Sequence, residues 1–220
     1  MSLGTQSEYE NKLWRINEWF PELSEDARRQ LRTYHVELIT FNRAINLISN
    51  RSEENADLVH FADCVLGCQL LLKSCTGPTV YDFGSGNGLP GIVLAILAPE
   101  FEIRLVESDA RKVEFLKHVA NRIGLPNVTP LHMRAEDVAD NSVQWGVSRG
   151  FASISKSLLF ARKAFQVGGQ YFHFKSESWV REVADIPSQM CRFWVPMLVD
   201  DYSLPVGNVR LSIVVTKKVG

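Results

Sequence analysis

Val80-Tyr81-Asp82-Phe83-Gly84-Ser85-Gly86-Asn87-Gly88-Leu89-Pro90-Gly91, followed by the apolar run Ile92 to Ala98, organises the rest of the chain. Thr79 to Phe83 has the composition of a short buried strand, and four glycines at 84, 86, 88 and 91 then lead into an apolar helix. Glycine permits positive φ and lets another group approach the backbone where a Cβ would collide. Pro90 suits the first turn of a helix, where its missing N–H costs nothing. The stretch predicts a strand, a glycine turn and a helix whose free N–H groups face a ligand. Open α/β sheets bind nucleotides at this place, the carboxyl end of a first strand.

Two ligand readings fit the loop. Gly86-x-Gly88-x-x-Gly91 matches the dinucleotide fingerprint, a weak signal alone. Asp82, Gly84, Gly86 and Gly88 match the Asp-x-Gly-x-Gly-x-Gly loop of S-adenosylmethionine methyltransferases. Either ligand needs an acid at the end of the next strand to accept hydrogen bonds from ribose hydroxyls. Phe101 to Val106 reads as that strand and Glu107 ends it, 23 residues beyond Gly84.

A length of 220 residues supports one ordinary domain with a small appendage. No apolar run approaches membrane-spanning length, and the N-terminus lacks a basic-then-apolar signal, so a cytoplasmic protein is expected. Cys64, Cys68, Cys75 and Cys191 follow no zinc spacing and read as buried free thiols, with no metal expected. Net charge is −1, but residues 141–220 carry 10 basic and 5 acidic side chains. That local excess is either surface scatter or a basic face near the active-site end that meets phosphates.

Ahead of the loop the pattern is helical. Ser7-x-x-Glu10 is a capping-box candidate; Leu13, Ile16 and Phe20 recur at helical spacing up to Pro21. Ser24 to Ile48 forms a longer apolar stripe, and Glu53 to Lys73 a third helix that carries His60 and Asp63. After Gly77-Pro78, strands and helices alternate: strand 79–83, helix 90–98, strand 101–107, helix 110–123, strand 127–132, strand 143–148, helix 153–166 and strand 170–175. Gly124-Leu125-Pro126 stops the helix at 110–123. The tail differs, because strands at 192–199 and 210–217 have no helix between them and predict an antiparallel hairpin at the sheet edge.

That tail separates the two ligand readings. An antiparallel last strand closing a seven-stranded, otherwise parallel sheet resembles the class I S-adenosylmethionine methyltransferase fold, a Rossmann-like α/β architecture. A nicotinamide dehydrogenase needs a substrate domain, and residues 1–76, read as an N-terminal helical extension packed on a core of 77–220, leave little for one. No catalytic His or Tyr-x-x-x-Lys stands where hydride chemistry requires it.

With these residues in view, the chain resembles the bacterial small-subunit ribosomal RNA methyltransferase G family, also called glucose-inhibited division protein B. The resemblance runs from about Leu38 to Lys217. It rests on Asn46-Leu47, His60 with Asp63, the loop from Asp82 to Gly91, Arg134-Ala135-Glu136, Ser148-Arg149-Gly150-Phe151-Ala152 and Lys175. Asn87, Gly150 and Ser176 depart from the family's usual proline, alanine and glycine.

The resemblance implies transfer of a methyl group from S-adenosylmethionine to ring nitrogen 7 of one guanine in small-subunit rRNA. It implies cofactor contacts from Asp82, Gly84, Gly86, Leu89, Glu107 and Ser108, with Ala135 and Glu136 flanking the adenine. Arg149 is implied as the catalytic-site residue beside the cofactor, and Arg134 and Lys175 as substrate contacts. A monomer with no membrane association, no metal and no obligate protein partner is expected.

The missing motifs agree with this chemistry. Exocyclic amine methylation commonly uses an Asp/Asn-Pro-Pro-aromatic loop after the fourth strand, where this chain has Ser148-Arg149-Gly150-Phe151. Pyrimidine-carbon methylation needs a cysteine nucleophile, and none lies between Cys75 and Cys191. The competing reading from another class is a ribosome assembly or sensing protein that holds the cofactor without turnover.

Overall fold

The structure is a computed structural model and describes residues 13–220. The capping-box candidate at Ser7 and Glu10 lies outside them. Seven strands form one sheet: β1 (Thr79–Phe83), β2 (Glu102–Glu107), β3 (Val128–His132), β4 (Val143–Arg149), β5 (Phe165–Ser176), β6 (Trp194–Ser203) and β7 (Arg210–Lys218). Their order is β3-β2-β1-β4-β5-β7-β6. The first five are parallel; β7 runs antiparallel to both β5 and β6. The order reverses between β1 and β4, so their carboxyl ends border the crevice where such sheets hold ligands.

Helices cover both faces. Alternation along β1 sends Val80 to one core with helices α2 (Glu25–Ile45), α4 (Asp63–Leu72), α5 (Gly91–Leu97) and α6 (Ala110–Ile123). Tyr81 and Phe83 point to the other core, beneath α7 (Ile154–Ala161) and α8 (Trp179–Ala184). The N-terminal helices share the first core with the sheet and continue it without a break. Short α1 (Ile16–Trp19) is fastened by Arg15, whose guanidinium and backbone N–H donate to the fully buried Asp57 carboxylate at 2.8–3.0 Å.

Local signals account for several boundaries. Ser24 Oγ accepts from Ala27 N at the start of α2, and Asp109 Oδ1 accepts from Arg111 N at 2.8 Å at the start of α6. Gly124 ends α6 in the left-handed region.

Four expectations need correction. The single helix expected over 53–73 is instead α3 (Asn50–Glu53), a π-helix (Asp57–Ala62) and α4. The helix expected over 153–166 ends at Ala161, and β5 begins at Phe165 rather than 170. Phe165 pairs with Val143 and Gln170 with Trp145, so residues 166–169 bulge out between them and Gly168 takes φ +86°. Of the thiols, Cys64, Cys68 and Cys75 are buried and free, whereas Cys191 is free and exposed. No helix among the described residues is long and apolar enough to cross a membrane.

Candidate active site

The carboxyl ends of β1, β2 and β4 open into a cleft of about 650 Å³ lined by Gly84, Ser85, Gly86, Asn87, Glu107, Ser108, Lys112, Arg134, Ala135, Glu136, Arg149 and Phe151, among others. That volume suits a small cofactor. The glycines divide by purpose. A Cβ on Gly84 would fall 2.1 Å from the Phe151 ring, one on Gly88 2.4 Å from Ile92, and one on Gly91 2.4 Å from Leu105. Packing excludes side chains at those three positions. At Gly86, with φ +53°, the one neighbour of a Cβ within 4 Å is the Gly84 carbonyl, at 3.7 Å. Gly86 is therefore the residue of the loop that leaves its backbone open to a ligand.

Glu107 holds that geometry. Its Oε2 accepts from Gly86 N at 2.8 Å and its Oε1 from Asp109 N at 2.7 Å. Each oxygen keeps a second lone pair for a donor in the cleft. Asp82 stands behind the loop: it is fully buried, lines no part of the cleft, and its Oδ2 accepts from Gly91 N at 3.0 Å at the head of α5. Burial pushes the Asp82 carboxyl up to about 7, against the opposing pull of the Gly91 N–H and Arg149. Leu89 is likewise buried outside the cleft lining, where its N–H donates to Asn87 Oδ1 at 3.1 Å. Asn87 ties the loop to the N-terminal region, accepting from Tyr34 OH through its carbonyl at 2.5 Å and donating through Nδ2 to Leu47 O at 3.2 Å.

Arg149 ends β4 at the cleft wall, its side chain 17% exposed. One terminal nitrogen donates to Asp63 Oδ2 at 3.0 Å and the other lies 3.1 Å from His60 Nδ1. A guanidinium only donates, so Nδ1 accepts and the His60 hydrogen sits on Nε2, 3.0 Å from Ser52 Oγ. Burial and then Arg149 lower the His60 pKa to about 3, which keeps the ring neutral. Asp63 Oδ1 accepts from Tyr202 OH at 2.6 Å. The Arg149 Nε–H is buried without an acceptor among the described residues.

The remaining predicted site residues divide. Ser108, Ala135, Glu136 and Arg134 reach the cleft, Ala135 and Glu136 on a 3₁₀ turn after β3. Lys175 does not. Its ammonium donates to Ala152 O at 2.8 Å and Glu182 Oε2 at 2.7 Å, so it braces the segment after β4 against α8. Gly150 has φ +67° with an open Cβ position, so glycine there serves the turn. The basic side chains of residues 141–220 divide between the two edges of the sheet. Arg149, Lys175 and Arg210 pair with Asp63, Glu182 and Asp201, while Arg162, Lys163 and Lys218 border a separate hollow at the opposite, amino edge of the sheet. Sequence reasoning missed Lys112, Met133 and Phe160 on the cleft wall, and Tyr202 behind it. Lys112, in the first turn of the helix after Glu107, was the most accessible of these from spacing alone.

The comparisons with known proteins agree with this geometry. Solved structures of similar fold include a SAM dependent methyltransferase from Aquifex aeolicus, with TM-score 0.52 and 15% identity, covering 68% of this chain and 89% of that one. A predicted O-methyltransferase from Agrobacterium tumefaciens gives TM-score 0.53 at 16% identity, covering 70% and 80% of the two chains. Among curated relatives, Ribosomal RNA small subunit methyltransferase G 3 of Bdellovibrio bacteriovorus is 47% identical over 94% of both chains. Ribosomal RNA small subunit methyltransferase G of Chromohalobacter salexigens is 32% identical over 76% of this chain and 78% of its own. The model of one family, rRNA small subunit methyltransferase G, matches residues 27–193. The chain belongs to the rRNA small subunit methyltransferase G family.

Proposed function

We propose that the protein transfers the methyl group of S-adenosylmethionine to ring nitrogen 7 of one guanine in small-subunit ribosomal RNA, using the cleft at the carboxyl edge of the sheet. The observation that carries this reading is Glu107, on the cleft wall, clamped to the open backbone of Gly86 with one lone pair left on each oxygen. That arrangement accepts two ribose hydroxyls beside a backbone free of Cβ. Ala135 and Glu136 would border the adenine and Gly84 and Gly86 the rest of the ligand, since all four line the cleft. Arg149 lines the cleft with its side chain 17% exposed, which supports a charge-assisted contact to the methionine carboxylate.

Bound S-adenosylmethionine supplies an electrophilic methyl group on a sulfonium that departs as a neutral thioether. Ring nitrogen 7 of guanine already offers a lone pair, so no group of the protein need remove a proton. The cleft agrees with that requirement. His60 is engaged at both ring nitrogens, so it is not poised as a general base. The protein's contribution is alignment, worth roughly 7–11 kcal/mol in favourable cases. Phe151 and Phe160 offer aromatic faces on the cleft wall for the target base. Calorimetry tests the cofactor assignment: S-adenosylmethionine and its demethylated product should bind and NAD should not. Tight NAD binding without either would overturn it.

A further inference from the structure

The sheet-edge strand β6 carries an irregularity that its length does not need. Leu198 pairs with Val214 but Asp200 pairs with Ile213, so Val199 is an inserted residue and the strand's alternation flips after it. Without the bulge, Tyr202 would share a face with Trp194, on the α7 side. With it, Tyr202 lies opposite Leu211, on the face of Ile213 and Val215 that packs against α4. Asp63, the first residue of α4, stands there, and the Tyr202 hydroxyl donates to it at 2.6 Å.

The carboxylate of Asp63 is thereby claimed from two sides. Tyr202 holds Oδ1 and Arg149 holds Oδ2 at 3.0 Å, and His60 receives the other arm of the guanidinium at 3.1 Å. A guanidinium held at both arms keeps one orientation, so the way Arg149 meets the cleft is set by its partners. Of these, His60 lines the cleft, whereas Tyr202 and Asp63 do not. Burial and the neighbouring Asp63 carboxylate both raise the Tyr202 pKa, so the phenol stays protonated and keeps donating. A plain salt bridge would need neither a bulged strand nor a tyrosine behind the acid.

We propose that Tyr202 and Asp63 are positioning residues for Arg149, with the bulge at Val199 in β6 as the device that aims Tyr202 at Asp63. The C-terminal strands of the sheet then reach the cofactor cleft without lining it. The inference rests on the reading of Arg149 as a cofactor-contacting group.

The test compares the parent with Tyr202→Phe, Arg149→Lys and the double variant, using S-adenosylmethionine calorimetry, methyl transfer to small ribosomal subunits and thermal melts. Tyr202→Phe should weaken S-adenosylmethionine binding about tenfold, or about 1.4 kcal/mol, with the KM for subunits unchanged. In the Arg149→Lys background the same substitution should add no further loss, because a residue acting through Arg149 has nothing left to orient. Asp63→Asn, which preserves shape, should reproduce the Tyr202→Phe phenotype and covers the case in which Tyr202→Phe melts too low to assay. If Arg149→Lys loses binding but Tyr202→Phe and Asp63→Asn bind like the parent, the positioning role is wrong and the reading of Arg149 stands. Multiplying losses in the double variant also refute the positioning role. If Arg149→Lys itself binds and transfers like the parent, both readings fall.

Discussion

Gly86→Ala provides a matched test of the cleft, because Gly124 serves as its control. Both glycines lie in the left-handed region, at φ +53° and φ +72°. A Cβ at Gly124 meets nothing within 4 Å, and one at Gly86 meets only the Gly84 carbonyl at 3.7 Å. Neither substitution therefore clashes with the protein, and each should cost the backbone penalty of an L residue in that region, about 1–2 kcal/mol. For a chain of this size that lowers Tm by roughly 2–8 °C. The variants part company at the ligand. The Gly86 Cβ enters the cleft where the cofactor is placed, whereas Gly124 caps α6 away from it. Forcing an extra methyl into a filled site costs about 1–3 kcal/mol, so Gly86→Ala should bind S-adenosylmethionine roughly 5- to 150-fold more weakly. Gly124→Ala should bind like the parent. Calorimetry beside thermal melts reads both quantities, and parent-like affinity in Gly86→Ala would refute the placement of the ligand along this loop.

Other substitutions probe the groups around the loop. Glu107→Gln must turn an amide NH₂ toward the N–H of either Gly86 or Asp109, so cofactor affinity should drop by about 1.5–3 kcal/mol; an unchanged dissociation constant would mean the carboxylate does not serve the ligand. For Asp82, a pKa raised from 3.8 in the unfolded chain to about 7 in the fold makes ionisation costly. The penalty is absent below about pH 4, grows between pH 4 and 7, and is complete above, amounting to roughly 1–4 kcal/mol. Asp82→Asn should therefore be more stable than the parent at pH 8 and no more stable at pH 4, and an equal difference in urea denaturation at both values would reject the assignment. Lys175→Met should lower Tm by breaking the Glu182 pair while leaving the KM for ribosomal subunits unchanged; a raised KM at parental Tm would return Lys175 to the substrate surface.

The loop between β1 and α5 was legible because its glycines, proline and flanking apolar runs impose their local geometry within a dozen residues. The acid ending β2 followed from the same topology, and Glu107 stands in the cleft as that topology requires. What the glycines do individually was not legible. Gly84 is kept free of a side chain by Phe151, 67 residues away in sequence, and Gly88 by Ile92 and Tyr34. Asp82 belongs to the motif by spacing, yet its carboxylate turns to the head of α5, because a buried acid takes the nearest backbone donor. Lys175 and Arg149 look alike as cations at strand ends, and only their distant partners, Glu182 on α8 and Asp63 on α4, tell them apart. Tyr202 was invisible for a similar reason. Regular alternation puts it on the wrong face, and the bulge that corrects this depends on β7.

The central claim is that this cleft transfers a methyl group to ring nitrogen 7 of a guanine in small-subunit rRNA. The most direct measurement is to incubate the protein with small ribosomal subunits and S-adenosylmethionine tritiated at the methyl group, then digest the RNA and map the labelled nucleotide. The account predicts label on one guanine, at ring nitrogen 7, lost in Arg149→Lys. Cofactor binding with no label in the RNA would contradict turnover and favour an assembly or sensing role, and label on an exocyclic amine or a ring carbon would contradict the chemistry assigned to the cleft.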